Sequence, residues 1–398
     1  MSAASTTALG ALMAQKVGSM DPSRCPDEAF DLYSIPAFDR GQPEVARGNS
    51  IGSAKQIVKP GDVLLSKIVP DIRRSWVVGN EQGRRIIASG EWIVFRSDRI
   101  HSEYLSEYLR HVLVGDPCHA QFMSTVSGVG GSLLRARPAH VARIEIPLPA
   151  LAEQRRIAEV LDRGEVLRAK RRSALAHLDA LAQAVFLELF GAPEVEGWPM
   201  VTIADIAHPG PGSIRTGPFG SQLLHSEFVD EGVAVLGIDN VVGNEFRWGE
   251  RRFISEAKYR ELKRYTVRPG DVLITIMGTC GRCAVVPDEV PLAINTKHLC
   301  CITLQPEKCL PAFLHAYFLE HPLARRYLDQ AAKGAIMAGL NMGIVKAMPN
   351  PVPPLALQRD FARRLAAVEN LRTGHRASLA ELDALFASLQ HRAFRGEL

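Results

Sequence analysis

The sequence predicts an α+β protein: two similar mixed α/β domains separated by two long antiparallel helices that pair as a coiled coil, with a pseudo-twofold internal repeat. Three observations predict it. One 40-residue stretch has the pattern of a single long helix. That stretch recurs near the end of the chain. The segments between the two copies share a turn and a helix pattern.

From Leu151 to Phe190 there is no proline and one glycine, Gly164. Apolar residues recur at Ile157, Leu161, Leu167, Ala174, Leu178, Leu181, Val185 and Leu189. Spacings of three, four and seven draw a stripe down one helix face. Gly191 and Pro193 form a stop signal. At 1.5 Å per residue such a helix runs on the order of 60 Å, too long for one small domain.

The copy begins at Pro351. Gln154-Arg155 matches Gln358-Arg359, Leu167-Arg168 matches Leu371-Arg372, and Leu178–Leu181 matches Leu382–Leu385, all 204 residues apart. Solenoid repeats have periods of about 20–50 residues, so this is a duplicated half-molecule. The expected divisions are a first globular domain (1–149), a helical spacer (150–191), a second globular domain (192–353) and a second spacer (354–398). The stripe positions Leu161, Leu178, Leu181, Val185, Leu365, Leu382, Leu385 and Leu389 are read as the helix-pairing and subunit-docking set. A charge at Leu178 or Leu382 is expected to loosen the pair by several kcal/mol, because an unpaired charge would be buried.

Within the globular segments, Lys59-Pro60-Gly61-Asp62 precedes Val63-Leu64-Leu65, and Arg268-Pro269-Gly270-Asp271 precedes Val272-Leu273. Both are turns that deliver the chain into a buried strand. Trp76-Val77-Val78, Trp92–Phe95 and Val141–Ile146 also read as strands, and Ser102–Val114 as a helix. Tyr104, Leu105 and Tyr108 match Phe313, Leu314 and Tyr317, 209 residues apart. Residues 1 to about 25 are small and polar and read as a mobile arm or a short leading helix.

Hydrophobic content of 46% and charged content of 23% are those of a globular chain. A net charge of +4 permits nucleic-acid binding without arguing for it. No uninterrupted apolar run of about 18 residues is present, so no membrane association is expected, and no secretory leader is read at the start. Seven irregularly spaced cysteines suit a reducing cytoplasmic compartment.

Taken together, Pro147–Arg155 (PLPALAEQR), its degenerate copy Pro351–Arg359, the paired Pro-Gly-Asp turns and Ile214–Ser221 (IRTGPFGS) make the chain resemble the specificity subunits of type I restriction-modification enzymes. The resemblance runs from about residue 30 to the end. It departs at Leu357, where the first copy has Glu153, and the first domain lacks a GPFGS-type opening. It implies two target-recognition domains, each reading one half of a split double-stranded DNA site, with the helices setting the gap. It implies two modification (methyltransferase) subunits docked on the helices and a restriction/translocase subunit joined through them. It also implies no catalytic residues and no bound metal or cofactor in this chain, with S-adenosylmethionine, ATP and Mg on the partners.

The DNA-contact candidates are Arg73, Arg74, Arg84, Arg85, Arg215, Arg251, Arg252, Lys263, Arg264, Lys297 and His298. Arginine and lysine bind phosphates, and arginine reads guanine bidentately. Each is also readable as solvated surface charge, interleaved in the second domain with Glu250, Glu256 and Glu261. Arg215, in a Gly/Pro-rich loop, and Lys297-His298 stand ahead of the rest. Arg168, Lys170, Arg171 and Arg172 read as a wet helix face or as a contact to DNA or an acidic partner.

Catalytic signals are weak. Asn350-Pro351-Val352-Pro353 lacks the second adjacent proline and the aromatic that would stack a flipped base, so it reads as a strand-to-helix corner. There is no Walker A loop and no glycine loop placed to cradle a methyl donor. Cys280 and Cys283 with adjacent Cys300 and Cys301 do not have zinc-ribbon spacing, because neighbouring strand residues face opposite ways. Two other classes remain open: a self-contained methyltransferase or nuclease, and a coiled-coil adaptor without a nucleic-acid role.

Overall fold

The structure, a computed structural model, describes residues 6–96, 105–127, 134–192, 196–333 and 340–398. Tyr104, the predicted start of its helix at Ser102, Pro193 and the first five residues lie outside them. The chain forms two compact units, Met1–Arg172 with Ala377–Leu398, and Ser173–Arg376. Each unit thus contains a globular part and portions of both long helices, Leu151–Phe190 and Leu355–Ala393.

In the first unit a five-stranded mixed sheet has Ala29–Tyr33 and Arg85–Ala88 side by side and parallel. Lys55–Ile57 and Glu44–Arg47 flank this pair antiparallel. A three-stranded antiparallel sheet has Val63–Ser66 at its centre, between Ser75–Val77 and Trp92–Phe95. All four residues of Val63–Ser66 are buried, as a central strand requires. From Thr6 on, the leading segment carries short 3-10 helices at Leu9–Ala11 and Pro22–Arg24 and is held in place by pairing. Thr6–Ala8 pairs antiparallel with Glu145–Pro147, and the Leu9 side chain is fully buried. Met13 bridges to Phe95 and Ala14 N–H donates to Val94 O. Edge pairing holds a segment whose composition alone reads as loose.

The second unit has the corresponding parts. Val233–Leu236 and Ala293–Asn295 are the parallel pair of its five-stranded sheet. Val272–Thr275 lies inside a four-stranded antiparallel sheet, between Cys283–Val285 and Leu299–Ile302. Met200–Thr202 pairs with Pro349–Pro351 as Thr6–Ala8 does with Glu145–Pro147. Ile214–Thr216 adds a fourth strand beside Leu299–Ile302. Arg215 therefore sits in a strand, not in the loop read from its glycines and prolines.

The matched turns have one cause. Gly61 and Gly270 adopt φ of 84° and 78°, which only glycine takes without strain. The Asp62 and Asp271 amides donate back to Lys59 O and Arg268 O, closing proline–glycine turns of type II. The aspartate carboxylates then accept the Lys59 and Arg268 amides at 2.8 and 2.9 Å.

The starts of the long helices are also matched. Gln154 is fully buried, donates to Pro149 O at 2.8 Å and accepts the Leu105 amide at 2.8 Å. Gln358 donates to Pro353 O and Lys308 O and accepts the Leu310 amide at 2.8 Å. Each glutamine ties a long helix to the start of a shorter one, Ser106–Val114 or Pro311–Glu320. The Tyr108 and Tyr317 hydroxyls donate to Pro147 O and Pro349 O.

In both units the two helix portions run antiparallel. In the first, Arg168 pairs with Asp383, and the Phe386 ring lies against Gly164 and under Arg168, 4.4 Å from its guanidinium carbon. In the second, Arg372 pairs with Asp179, and Phe361 meets Phe186 and Phe190 at 5.5 Å. Leu161 is fully buried. Leu389 packs on the first core, and Val185 and Leu365 on the second. Leu178 and Leu382 are half-buried. Leu181 and Leu385 are 47% and 53% exposed, so the predicted burial of the whole stripe needs correction. The phenylalanines that do face inward stand outside the leucine stripe that drew the eye.

The C-terminal half of the first long helix reaches a mean hydropathy of 1.3 over 18 residues. By length and composition it is apolar enough to cross a membrane, which the sequence reading did not anticipate. Here Phe186 and Phe190 of that half are fully buried in the second unit's core.

Candidate nucleic-acid interface

Side chains at strand ends and turns carry the candidate contacts, because regular strands fix where those turns project. In the first unit every candidate arginine has an acidic partner. Arg73 donates to Asp116 at 2.6 Å and to Val114 O. Arg74, 7% exposed, makes two bonds to Asp39, and they hold the Asp39 carboxyl below its ordinary range. Arg84 donates to Asp31 at 2.7 Å. Arg85 pairs with Glu28 and covers the Phe30 ring. Adjacency in sequence suggested two basic patches; the structure instead distributes these charges among four ion pairs.

The second unit gathers its candidates. Arg252, Lys297 and His298 line one cleft of about 540 Å³, together with Pro218, Phe228 and Asp239. Partial burial, followed by the neighbouring Lys297 and Arg252 charges, lowers the His298 pKa. Lys263 and Arg264 line a second cleft of about 410 Å³ with His208, Arg215 and Arg268. Arg215 is mostly consumed inside: it donates to Asp271 at 2.7 Å, to Thr303 Oγ1 at 2.9 Å and to two backbone carbonyls. Its role in this geometry is to hold the cleft floor. Arg251 lies 5.8 Å from the Trp248 ring, an exposed aromatic that was not singled out from the sequence. Such an arginine–aromatic pair offers a base both charge and a stacking face.

The cysteines behave as buried thiols. Cys300 and Cys301 belong to different core clusters on opposite faces of their strand. Burial pushes the Cys300 thiol up to about 12, which favours the protonated form over the thiolate a metal would need. His111, Asp162 and Glu165 bring three donor atoms within 4.8 Å of one another. Arg110 donates to both carboxylates and offsets part of their charge, and the group ties Ser106–Val114 to the first long helix. The hydrogen bond from His111 is the first cause that lowers the Asp162 pKa. Asn350 is fully buried in the strand Pro349–Pro351, consistent with a corner and leaving no face for a flipped base.

This fold has counterparts. A structure of the S subunit of a type I restriction-modification system from M. genitalium superposes with a TM-score of 0.59 at 13% identity, covering 98% of this chain and 96% of that one. A chain from a study of complex assembly and conformational transition of a type I R-M system gives 0.59 at 21% identity, covering 100% and 99%. The architecture is thus that of type I restriction-modification S subunits.

Curated relatives point the same way. The EcoBI specificity subunit of Escherichia coli is 25% identical over 282 residues, 64% of this chain and 58% of that protein. The EcoKI specificity subunit of E. coli K12 is 26% identical over 300 residues, 68% and 61%. The MjaVIII specificity subunit of Methanocaldococcus jannaschii is 25% identical over 248 residues, 57% and 56%. The matched part spans less than two thirds of each relative's length. No family model matches the chain. The resemblance carried by the PLPALAEQR segment and the paired turns is borne out: this chain is a relative of type I restriction enzyme specificity subunits.

Proposed function

We propose that the chain is the sequence-specific DNA-recognition subunit of a type I restriction-modification complex. Residues 1–149 and 192–353 act as two target-recognition domains on one plan. Residues 150–191 and 354–398 are spacers that pair as a coiled coil, so that the molecule is a half written twice. Each domain reads one half of an asymmetric bipartite duplex site. The chain is itself non-catalytic. S-adenosylmethionine, ATP and Mg act on its partners in the cytoplasm.

The observation that carries this reading is the matched pair of ion pairs. Arg168 and Arg372 stand 204 residues apart, as do Asp179 and Asp383. Arg168 meets Asp383, and Arg372 meets Asp179. Such an exchange of equivalent partners is what a duplicated half-molecule produces when its helices pair with each other. Half-sites facing the same way on a duplex lie about 34 Å apart or at multiples of it, a distance that helices of 40 and 39 residues match in scale.

Docking of two modification subunits is supported by matched exposure. Leu167 and Leu371 are 49% and 56% exposed, and Leu181 and Leu385 are 47% and 53% exposed. Equivalent apolar residues left in water at both copies favour two equivalent partners. A restriction/translocase subunit joins through those.

The test is reconstitution with the modification subunit of a type I system. The complex should bind a split-site duplex with log affinity falling linearly with log salt, because phosphate contacts release counterions. Leu181→Glu with Leu385→Glu should abolish assembly while both units stay folded. Methyl transfer by the purified chain alone, or salt-independent DNA binding by the complex, would overturn the reading.

A further inference from the structure

One cleft of the first unit has a chemistry unlike the others. It measures about 760 Å³ and lies against the five-stranded sheet, with Asp31, Tyr33, Arg40, Glu44 and Arg84 among the residues that line it. Its ionic groups cancel in pairs: Arg84 meets Asp31 at 2.7 Å and Arg40 meets Glu44 at 2.9 Å. What remains are three exposed carboxamides, Gln42, Asn80 and Gln82. Among the described residues none of these three amide groups has a hydrogen-bond partner. Beside them Val45 is 60% exposed, an apolar side chain left in water.

The amides are pre-positioned. Asn80 and Gln82 lie on the connection from Ser75–Val77 to Arg85–Ala88. Its start is held by the Gly79 amide donating to Tyr33 Oη at 3.0 Å, and its end by the Arg84–Asp31 pair. Gly83, at φ 78°, turns the chain between them. A loop pinned at both ends loses little entropy on binding.

A cleft with cancelled charge is a poor phosphate site and a good base-edge site. A carboxamide offers one donor and one acceptor side by side. Adenine presents the complement in the major groove, an N7 acceptor beside an N6 donor, and the thymine paired to it adds a methyl group that an aliphatic side chain can touch. We infer that this cleft is where the first unit reads its half-site, and that the bases read there by Gln42, Asn80 and Gln82 are adenines, with Val45 against a thymine methyl. The inference rests on the DNA-recognition reading above and narrows it to A·T pairs in one half.

Selection of randomised duplexes by the full chain assembled with its modification subunits tests this. The native complex should select a split motif with A·T pairs in one half. In Asn80→Ala, Gln82→Ala and Gln42→Ala complexes, preference for adenine at single positions of that half should fall on the order of 10- to 100-fold, the loss of one bidentate pair. Val45→Ala should relax only the thymine preference, and the other half should be unchanged. All four side chains are exposed, so assembly should persist. A native split motif that the variants leave intact, lost G·C preference, equal weakening of both halves, or failed assembly with intact base preference would each overturn the cleft assignment alone. A native complex that selects no motif would overturn the DNA reading together with it.

Discussion

In the first unit the Asp62 carboxylate, 2% exposed, is met by Arg96, which follows the strand Trp92–Phe95. In the second unit Asp271, 1% exposed, stands at the same turn but is met by Arg215, from the added strand Ile214–Thr216. The position after Leu299–Ile302 that would correspond to Arg96 holds Thr303, whose hydroxyl bridges Arg215 and Asp271. One plan therefore meets one requirement, a neutralised buried carboxylate, with cations from different strands. The buried turn is common to both units. The side chains around it have diverged, and so have the clefts: paired charges and free amides in the first unit, and in the second gathered cations, with Lys297 and His298 beside an Arg252 that pairs with Asp239.

The largest test breaks the shared turn. Asp62→Ala leaves Arg96 in a buried site without its carboxylate and should cost about 3–5 kcal/mol. Asp271→Ala should fall at the low end of that range, because Arg215 keeps Thr303 and two carbonyls as acceptors. Hydrogen exchange should show the loss confined to Val63–Ser66 in one variant and to Val272–Thr275 in the other. Loss in both units from either change would break the comparison.

Two glycines within the long helices should respond with opposite signs. A Cβ at Gly164 would stand 2.8 Å from the Phe386 ring, so Gly164→Ala should destabilise the first unit by about 1–3 kcal/mol despite better helix propensity. Nothing lies within 4 Å of a Cβ at Gly374, so Gly374→Ala should stabilise by about 0.5–1 kcal/mol. Urea melts of the two variants compare them directly.

A pH test sharpens the contrast further. His315 Nε2 faces Asn244 O at 2.9 Å and Cys283 O at 3.0 Å, and burial lowers its pKa from 6.5. A neutral ring with its proton on Nε2 donates to both. The folded value lies below the unfolded one, so this contribution is present above pH 6.5 and is lost as pH falls toward the folded value. The second unit should weaken by at most about 1.4 kcal/mol per pH unit in that window. His315→Gln should flatten the slope there and leave the first unit's exchange unaltered.

The smallest effect belongs to the exchanged ion pairs. Double-mutant cycles on Arg168–Asp383 and Arg372–Asp179 should each give about 0.2–1 kcal/mol, since both pairs reach solvent. The two coupling energies should agree with each other more closely than either agrees with zero. Unequal coupling would show that matched sequence does not produce matched contacts.

Local chemistry was legible where it rests on backbone rules. The Pro-Gly-Asp turns, the helix spans and the opposite facing of Cys300 and Cys301 all follow from φ preference, periodicity and strand alternation. Thr6–Leu9 was not legible, because its only structural signal is a partner strand well over a hundred residues away. A comparison with Met200–Ile203 would have exposed it, since both runs put an aliphatic residue, Leu9 or Ile203, just after a short strand. Among site residues the loop arginines drew attention for their charge. Gln42, Asn80 and Gln82 did not, since a neutral amide marks a site only when its partners are known to be missing.

The sequence alone showed the segments that recur 204 residues apart, the two long helices and the turn that precedes a buried strand in each globular segment. These depend on residue spacing, which a linear reading measures. Tertiary structure alone decided which leucines are wet, which arginines are spent on internal carboxylates and which strand supplies the cation for each buried aspartate. Those outcomes depend on what a side chain meets across the fold, and distance along the chain carries no measure of that.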